Sequence, residues 1–544
     1  MPYPRDRSGR MRDDCLVTVE GRSEQPPRTA PDGEEAAEAV ADASAHPGRG
    51  RLFVAGVLTG LAGLATSQVA TALLGQQNGP LVAVAAVIRD ATPGSIAVPL
   101  IHLVKSLDKP LLVAGTTLGL LLLAGVAGMQ FVRRPWLSYL IFTAMGGLGL
   151  VAVMHRADSG PYDVVPLLVG FATWVLLIGW LTAPRVTAPG DRRGFLLRGG
   201  LAVLGTAAAV GLGEVLGRGR RRVEDARSLL RLPVTKGTVP RGADLGVTAS
   251  RPWRTPNPVF YQIHTAISLP SITPDEWTLR IHGMVDRELT ISYDDLVRRR
   301  LTEDWVTICC VSNVVGGNLI GNAFWSGVLV RDLLEEAGVQ TGADAVQQTS
   351  QDGWTCGTPL SALTDPSRNA MLAVAMNGQP LPVEHGFPVR MVVPGLYGYV
   401  SATKWLVDLE VTRFADFTAY WTERGWAPQG PVKTESRIDV PRDGQQIPPG
   451  RSRFGGSAWA QHTGIEKVEV QLDGGPWEKA ELGRVPNDDT WVQWSREAAV
   501  KPGKHTLVVR ATDRSGATQT SVRAGVIPDG ASGWHTVEFE ARDS

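Results

Sequence analysis

Residues 52–216 of this 544-residue chain are almost continuously apolar, and this stretch restricts the possible folds more than any other feature. A helix needs about 20 mainly apolar residues to cross a bilayer. Four segments meet that length, at roughly 52–74, 110–132, 135–154 and 163–184, and a fifth at roughly 198–216 is rich in Gly and Ala. The stretch predicts a membrane region at 51–216 and excludes a purely cytosolic enzyme.

The segment 81–104 is a doubtful sixth span because Arg89, Asp90 and Pro93 interrupt it, and a charge at the bilayer centre costs a few kcal/mol or more. Arginines near spans favour the cytoplasmic side. With five spans the arginines at 49 and 51 and the clusters at 133–134 and 185–198 all lie there, whereas with six spans the last two clusters cannot both lie there. We therefore expect about five helices, with residues 217–544 on the extracytoplasmic side of a bacterial cell membrane.

An arginine pair precedes the last predicted span, where residues 191–196 read DRRGFL. This run resembles a twin-arginine export motif in an internal position, and that export route carries proteins that are already folded. The alternative is a plain pair of cytoplasmic arginines before a helix. Arginines at 218 and 220–222 follow the span and break the charge rule, which export of a folded domain would explain.

The remaining segments differ in composition. Residues 1–50 are rich in Arg, Pro, Gly, Asp and Glu and predict a disordered cytoplasmic tail. We expect a linker at 217–250, a mixed α+β domain at 251–420 and an immunoglobulin-like β-sandwich at 421–544. Basic and acidic residues number 54 each, so no net charge points to a nucleic-acid partner. Four cysteines are too few for a disulfide framework.

Local patterns support this division. Residues 277–283 read as a strand that ends at a turn, and residues 330–338 read as a helix closed by Gly338. Further on, alternation at 467–472, an Asp473-Gly474 turn and alternation at 505–511 are typical of a β-sandwich.

The most unusual local sequence is that of residues 307–313, which read TICCVSN and precede Gly316 and Gly317. A thiolate at a strand end, beside a glycine-rich turn, is a candidate ligand for a soft metal or a candidate nucleophile. The alternative is a pair of buried cysteines that act as small apolar residues. A nucleophile needs a base, and the sequence nominates only His264 and His385.

Three runs downstream read AMNGQPLP at 375–382, HGFPVRMVVPG at 385–395 and KWL at 404–406. Together they closely resemble the sulfite oxidase family, molybdenum enzymes that use molybdopterin. The likeness covers about 255–415, and residues 430–528 are similar to the family's C-terminal dimerisation domain, which implies a homodimer formed through that domain. Without the family, the same runs would be a turn at Asn377-Gly378 and a buried strand at 389–393.

The resemblance implies roles for individual residues. In the family a Cys-x-x-Asn element supplies the protein thiolate to molybdenum, and the run that starts at Cys310 fits it, whereas Cys309 is offset by one residue. Neighbours on a strand face opposite ways, so we expect Cys310 to be the metal ligand and catalytic residue, and Cys309 a buried neighbour.

The cofactor contacts implied by the same match are mostly polar or charged. Arg offers a planar fork suited to phosphate and Lys a point charge. The alternative for each residue is a structural role. The implied set comprises Tyr261, Gln262, His264, Thr349, His385, Arg390, Ala402, Thr403 and Lys404.

The chain departs from the family at the substrate pocket. Gln262 stands where sulfite oxidases have an anion-binding Arg, Val400-Ser401 occupy the region of a second Arg, and Trp354 replaces a pocket Tyr. Each lost charge-assisted pair is worth roughly 1.5–3 kcal/mol, so dianionic sulfite is a poor candidate. The expected substrate is a small S-oxide or N-oxide, or an oxidised protein side chain.

The resemblance also implies the reaction type, which is transfer of an oxygen atom and two electrons at a molybdenum centre. His102 and His155 do not form a paired haem pattern, so no haem is expected and electrons pass to or from a separate partner, a quinone or a cytochrome. The competing hypothesis is a cofactor-free, membrane-anchored sensor or surface scaffold on a degenerate sulfite-oxidase fold. The missing pocket arginines leave it open.

Overall fold

The computed structural model describes residues 48–76, 78–93, 104, 107–156, 160, 162–183, 192–216 and 219–542. Nearly all of the predicted tail at 1–50 lies outside these ranges. So do most of the second half of the segment 81–104 and Asp191 of the arginine motif.

The N-terminal part is a bundle of helices, which we call the apolar helical segment (residues 49–216). Within the described residues, four helices are long and apolar enough to cross a membrane, and the helix in the predicted span 163–184 is shorter, at 17 residues. The described part of the segment 81–104 contains a helix of only 12 residues, too short to span. The bounds are α1 Arg49–Leu73, α2 Pro80–Ala91, α3 Asp108–Phe131, α4 Pro135–Met154, α5 Val165–Leu181 and α6 Arg192–Leu216.

Helix α1 lies among the others because small residues let neighbouring helices approach closely. It packs against α3, α5 and α6. A Cβ at Gly56 would collide with the carbonyl group of Ala124, and one at Gly63 with the ring of Trp174. Trp174 donates a hydrogen bond to the Gly60 carbonyl oxygen at 3.2 Å. Glycine-mediated approach of this kind is typical of helices packed in a membrane.

The predicted linker at 217–250 is not a free connection. It begins with the helix α7 (Gly219–Leu229), and Ala243 is fully buried in the core of the next region. Thr235 donates from its amide and hydroxyl groups to the Glu303 carboxylate at 2.7 and 2.8 Å. Residues 230–250 therefore belong to the central region (residues 230–434), because their backbone and apolar side chains find partners there.

The central region contains two sheets and three short helices. One sheet has the strand order β2-β1-β10-β5-β6, and the other has β3-β4-β7-β8 with β9 on β7. The strands are β1 Thr278–Gly283, β2 Leu289–Ser292, β3 Thr302–Cys309, β4 Ile320–Leu329, β5 Ala345–Ser350, β6 Thr355–Pro359, β7 Met371–Met376, β8 Gln379–Pro380, β9 Arg390–Val392 and β10 Leu406–Thr412. The helices are α8 Tyr293–Val297, α9 Val330–Ala337 and α10 Leu360–Thr364.

The predicted strand at 277–283 and helix at 330–338 are confirmed as β1 and α9. Helix α9 stops because Gly338 adopts a left-handed conformation with φ of 72°, which glycine tolerates. The Asn377-Gly378 turn is confirmed as well, since both residues have positive φ and join β7 to β8.

The C-terminal region (residues 435–542) consists of two further sheets, ordered β11-β13-β17-β16 and β12-β19-β18-β14-β15. Apolar residues of both sheets form one core cluster that includes Phe454, Trp494 and Phe539. The immunoglobulin-like assignment stays a prediction. The strands are β11 Glu435–Val440, β12 Gln446–Ile447, β13 Gly450–Trp459, β14 Ile465–Leu472, β15 Glu478–Lys479, β16 Glu481–Leu482, β17 Val492–Val500, β18 Gly503–Asp513 and β19 His535–Ala541.

Candidate active site

The candidate site begins at the loop between β3 and β4, residues 310–319, which we call the thiol loop. Its base is closed by a hydrogen bond from the Cys310 amide to the Leu319 carbonyl oxygen at 2.9 Å. The Asn313 amide donates back to the Cys310 carbonyl oxygen at 3.0 Å, and the Asn313 side-chain oxygen accepts from the Leu319 amide at 2.8 Å. Asn313 therefore fixes the backbone that carries the Cys310 thiol.

The two adjacent cysteines face different surroundings. Cys309 ends β3 and packs in the main core of the central region. Burial raises the pKa of its thiol well above the usual range, with Glu435 adding to the effect. Burial also raises the pKa of Cys310, but hydrogen bonds from Ser312 and the charge of Lys404 oppose the rise. Both thiols have a cation nearby, Arg437 for Cys309 and Lys404 for Cys310, but hydrogen bonds from Ser312 further favour a thiolate at Cys310.

Arg390 lies in β9, buried to 2 % exposure in a place without a carboxylate. Its guanidinium donates to the carbonyl oxygens of His385 at 3.2 Å, Met391 at 3.4 Å and Ala402 at 3.4 Å. It also lies 5.1 Å from the ring centroid of Trp325. Burial lowers its pKa to about 10, which means that the charged form is held at a cost.

Lys404 is the second cation of the site. Its ammonium donates to the Glu384 carbonyl oxygen at 2.8 Å. Burial, followed by the charge of Arg390, lowers its pKa well below the usual range. Among the described residues neither cation forms an ion pair with a carboxylate. Buried charges are normally paired, so the buried Arg390 with the half-buried Lys404 beside it indicates that an anion belongs between or beside them.

His385 adds an unpaired acceptor. It is 1 % exposed, and its Nε2 donates to the Asn257 carbonyl oxygen at 3.2 Å, which leaves Nδ1 as an acceptor. In the described part of the chain, this buried Nδ1 has no hydrogen-bond partner. Burial and the charges of Lys404 and Arg390 lower the pKa of His385 to about 3, so the ring is neutral. A ligand with an N–H or O–H donor would satisfy it.

The first loop, which we define as residues 257–266, covers this cluster. Phe260 packs edge-on against Trp325 and His385, with ring centroids 5.9 and 5.5 Å apart. Tyr261 stacks on Phe260, and burial and the nearby Cys310 thiol raise its pKa well above the usual range. His264 packs edge-on against Trp405 at 5.7 Å.

His264 is neutral for the same reason as His385. Burial, then the charges of Lys404 and Lys109, lower its pKa to about 3. Gln262, by contrast, is exposed on the outside of the loop. The first loop therefore brings Tyr261 and His264 towards Cys310 and Lys404, and leaves Gln262 at the rim.

The segment 402–404 joins the cluster through its backbone. The Thr403 carbonyl oxygen accepts from the Met391 amide at 2.8 Å, and the Ala402 carbonyl oxygen accepts from Arg390. The Thr403 hydroxyl lies 3.3 Å from the Cys356 thiol. These contacts hold Lys404 beside Arg390.

Thr349, like Gln262, is a predicted residue that the structure does not bring into the cluster. It is half-buried in β5 between the fully buried Gln348 and Ser350, so its side chain points to the other face of the sheet. The inner face instead carries Gln348, which donates to the Thr358 hydroxyl at 2.6 Å, and Thr358 donates to the Val400 carbonyl oxygen at 2.5 Å.

Several residues that support the site could not be identified from the sequence, because they come from distant parts of the chain and no local pattern marks them. Gln348 looks like a surface residue of a polar strand, and Asn257 like an ordinary turn residue. Lys109 starts helix α3, yet its Nζ lies 2.8 Å from Nδ1 of His264. Usable signals came from the contiguous runs at 307–313 and 375–406 and from the first loop.

The donor set fits an anionic, polar cofactor. The unpaired cations Arg390 and Lys404 suit a phosphate group, the orphaned Nδ1 of His385 suits a ring N–H, and the Cys310 thiol suits a soft metal. A molybdopterin with its phosphate and its metal offers all three.

Comparison with known proteins bears on this fit. Residues 266–421 match the family described as oxidoreductase molybdopterin binding domain. The chain is 31% identical over 309 residues to the mitochondrial sulfite oxidase of Homo sapiens, covering 48% of this chain and 56% of that protein. It is 35% identical over 155 residues to YuiH, an uncharacterized oxidoreductase of Bacillus subtilis (strain 168), covering 28% of this chain and 74% of YuiH.

Among solved structures, the sulfane dehydrogenase SoxCD from Paracoccus pantotrophus is similar with a TM-score of 0.47 and 22% identity, over 54% of this chain and 85% of that one. The match with the human protein spans little more than half of that protein's length.

Proposed function

Because this chain belongs to the sulfite oxidase family of molybdopterin-dependent oxidoreductases, we propose that it is an exported, membrane-anchored enzyme whose molybdenum is bound by Cys310. Membership makes it a molybdenum-dependent oxidoreductase. When bound, molybdopterin supplies a metal centre that exchanges an oxygen atom and two electrons with the substrate. The residues of this chain hold the cofactor, exclude water and select the substrate.

The observation that carries the proposal is the pair of unpaired cations beside Cys310, the buried Arg390 and the half-buried Lys404. Arg390 and Lys404 would hold the phosphate, His385 would accept a hydrogen bond from the pterin, and Cys310 would bind the metal. Tyr261, Ala402 and Thr403 line the same cluster, while Thr349 and Gln262 have less support. Leaving the buried charge of Arg390 without a counter-anion costs several kcal/mol, which argues against the cofactor-free sensor or scaffold.

The substrate proposal follows from what the pocket lacks. Gln262 is exposed and uncharged, Val400 is buried, and the Ser401 hydroxyl is occupied by the carbonyl oxygens of Leu396 and Tyr397 at 3.2 and 2.9 Å. None of the three supplies the cation that a dianion requires. A neutral S-oxide or N-oxide, or an oxidised protein side chain, suits this pocket better than sulfite. Its reduction consumes two electrons and two protons and releases water.

The remaining parts of the proposal concern partners. The four long apolar helices support a membrane anchor, with the catalytic region on the extracytoplasmic side. The two electrons would come from a separate carrier, a quinone or a cytochrome. The C-terminal region would pair two copies of the chain.

The test uses the full chain, purified in detergent from a host that makes molybdopterin. We expect about one molybdenum per chain in the parent protein, and reduction of dimethyl sulfoxide, trimethylamine N-oxide or methionine sulfoxide by reduced viologen dye. Sulfite oxidation with ferricyanide should be weaker. Cys310→Ala should lose turnover but keep pterin, because Arg390 and Lys404 remain.

Cys309→Ala is the matched control, since its thiol lies in the apolar core and should not affect metal binding. A well-folded parent protein with neither molybdenum nor pterin would refute the proposal and favour the scaffold. Efficient sulfite oxidation would refute only the substrate assignment.

A further inference from the structure

Two helices of the apolar helical segment touch the first loop of the candidate site. Lys109 lies in the first turn of α3, and its Nζ is 2.8 Å from Nδ1 of His264. Arg89, near the end of α2, donates to the Thr265 carbonyl oxygen at 2.7 Å. His264 and Thr265, which are adjacent in the first loop, are thus both contacted by the apolar helical segment.

A second set of contacts fixes how the helices sit on the central region. The Tyr420 hydroxyl donates to the Asp90 carboxylate at 2.9 Å, and the Arg424 guanidinium covers the Tyr420 ring at 3.7 Å. Asp90 also pairs with Arg424 at 3.4 Å and with Arg89 at 2.8 Å. Because several charged and aromatic groups share Asp90, Lys109 is held in place relative to His264 by more than its own contact.

The Lys109 contact decides which nitrogen of His264 carries the proton. A lysine ammonium has three donors and no acceptor, so Nδ1 must accept and the proton of the neutral ring lies on Nε2. The Ala266 carbonyl oxygen lies 3.2 Å from the same Nδ1 and favours the opposite tautomer, in which Nδ1 donates. Lys109 and Ala266 therefore compete for His264.

The tautomer matters because of where the ring lies. His264 packs against Trp405, next to Lys404 in the chain, and feels the charge of Lys404. With Nδ1 occupied by Lys109, Nε2–H is a donor that has no hydrogen-bond partner among residues 48–542 as far as these are described. A phosphate or a polar pterin edge is an acceptor of the kind that such a donor needs.

We propose that Lys109 is a positioning residue of the molybdopterin site, which holds His264 in the Nε2–H tautomer so that the ring donates a hydrogen bond to the cofactor. The inference rests on the proposed function. It assigns the apolar helical segment a second role beside anchoring, as one wall of the site.

The test uses the full chain in detergent and compares Lys109→Met, Lys109→Arg and, as the matched control, Arg133→Met. Arg133 is an exposed cation just after the other end of the same helix. The first readout is retention of pterin after gel filtration, measured as fluorescence of the released, oxidised pterin. The second is kcat/KM.

We expect Lys109→Met to lose pterin about 10-fold faster than the parent protein, since it removes one charge-assisted hydrogen bond. Lys109→Arg, which also only donates, should stay close to the parent protein. In a His264→Phe background, Lys109→Met should have no further effect, because residues that act through one another are not additive.

Three results would overturn the inference. If Lys109→Met matches Arg133→Met while the parent protein holds molybdenum, Lys109 has no positioning role and the proposed function stands. If the effect persists in the His264→Phe background, Lys109 acts by another route. If the parent protein holds no pterin, the proposed function and this inference both fail. Should Lys109→Met not fold, Lys109→Gln replaces it in the same comparisons.

Discussion

Arg437 of the C-terminal region donates a hydrogen bond to the carbonyl oxygen of Gly317 in the thiol loop, at 2.8 Å. Arg437 is itself buried and paired with Asp439 at 2.9 Å, so its guanidinium is held in a fixed orientation. The same region contacts the strand before the loop, because the Thr307 amide donates to the Asp489 carbonyl oxygen at 2.9 Å. The loop that carries Cys310 is thus clamped from outside its own sheet.

This clamp predicts that Gly316→Ala damages the site. Gly316 has φ of 75°, and a Cβ there would collide with the ring of His535 on β19. We expect a loss of about 1–3 kcal/mol in stability together with lowered molybdenum content, measured by thermal unfolding and metal analysis.

Gly516→Ala separates the effect of backbone strain from the effect of the collision with His535. Gly516 has a similar φ of 87°, but an added Cβ would meet nothing within 4 Å. Gly516→Ala should lose only the stability that backbone strain costs, and it should keep its molybdenum. Equal molybdenum loss in both variants would contradict the clamp.

Because Arg390 is a buried cation without a counter-anion, we expect Arg390→Met to stabilise the protein that lacks cofactor and to weaken binding of the cofactor where it is present. In protein from a host that makes no molybdopterin, removing a buried charge without a counter-anion should raise the free energy of unfolding by about 1–3 kcal/mol. In protein from a competent host, the same variant should lose pterin, because the phosphate loses its planar donor. Chemical denaturation and pterin fluorescence measure the two effects.

Arg298→Met is the control for this prediction, since Arg298 is an exposed arginine that follows α8 and pairs with Asp294 on the surface. Arg298→Met should change neither the free energy of unfolding nor the amount of pterin bound. Destabilisation of the cofactor-free protein by Arg390→Met would mean that the contacts of Arg390 with carbonyl oxygens and Trp325 outweigh the cost of its buried charge.

Glu435 predicts a pH dependence of stability. It is 4 % exposed, and burial raises its pKa from 4.5 to about 8. Between these values the folded chain holds a proton that the unfolded chain has released, so stability falls as the pH rises from about 4.5 to 8. Glu435→Gln removes this fall, and we expect it to unfold at a higher temperature than the parent protein at pH 8 but not at pH 5.

The size of the Glu435 effect should be on the order of 1–4 kcal/mol at the alkaline end. Glu466→Gln, at an exposed position of β14, should keep the pH dependence of the parent protein. A parallel shift of Glu435→Gln at all pH values would show that packing, and not proton binding, is responsible.

The contacts of Asp90 predict a local loosening. Asp90→Asn removes the negative charge that Arg89, Arg424 and the Tyr420 hydroxyl share. We expect amide hydrogen exchange at residues 414–426 to become roughly 3- to 10-fold faster, because the helices no longer hold that segment. Tyr420→Phe, which removes only one hydrogen bond, should have a smaller effect.

Mass spectrometry of exchanged peptides from the full chain measures this loosening. Asp294→Asn, on an exposed turn of α8, controls for the loss of a carboxylate elsewhere. Unchanged exchange in Asp90→Asn would mean that the apolar contacts alone fix the docking.

Short-range features of this fold were predictable because their causes are local. Gly338 ends α9, and Asn377-Gly378 forms a turn, since each uses a positive φ that few other residues tolerate. The likeness at 375–406 pointed to Arg390 and Lys404, which the structure brings together. The orientation of Thr349 was not predictable, because a shift of one residue along a strand reverses the face that a side chain occupies.

Long-range features left no local signal. Residues 230–250 look like a linker, with their Pro and Gly, yet the Gly242 carbonyl oxygen accepts from the Arg484 amide at 2.8 Å. Lys109 reads as the flank of a membrane helix, and nothing near it in the chain suggests a histidine partner. Such contacts depend on how whole regions dock, which periodicity and spacing do not record.

The sequence separation between Lys109 and His264, 155 residues, also sets an order of events during synthesis. The ribosome completes helices α1–α3 before it makes the first loop, so one wall of the pocket already exists while the region that needs it is still emerging. Since domains fold as units, the pocket closes on that side only when the finished central region reaches the helices. On the role proposed for Lys109, a cofactor that enters before this step would afterwards be retained by the same helices.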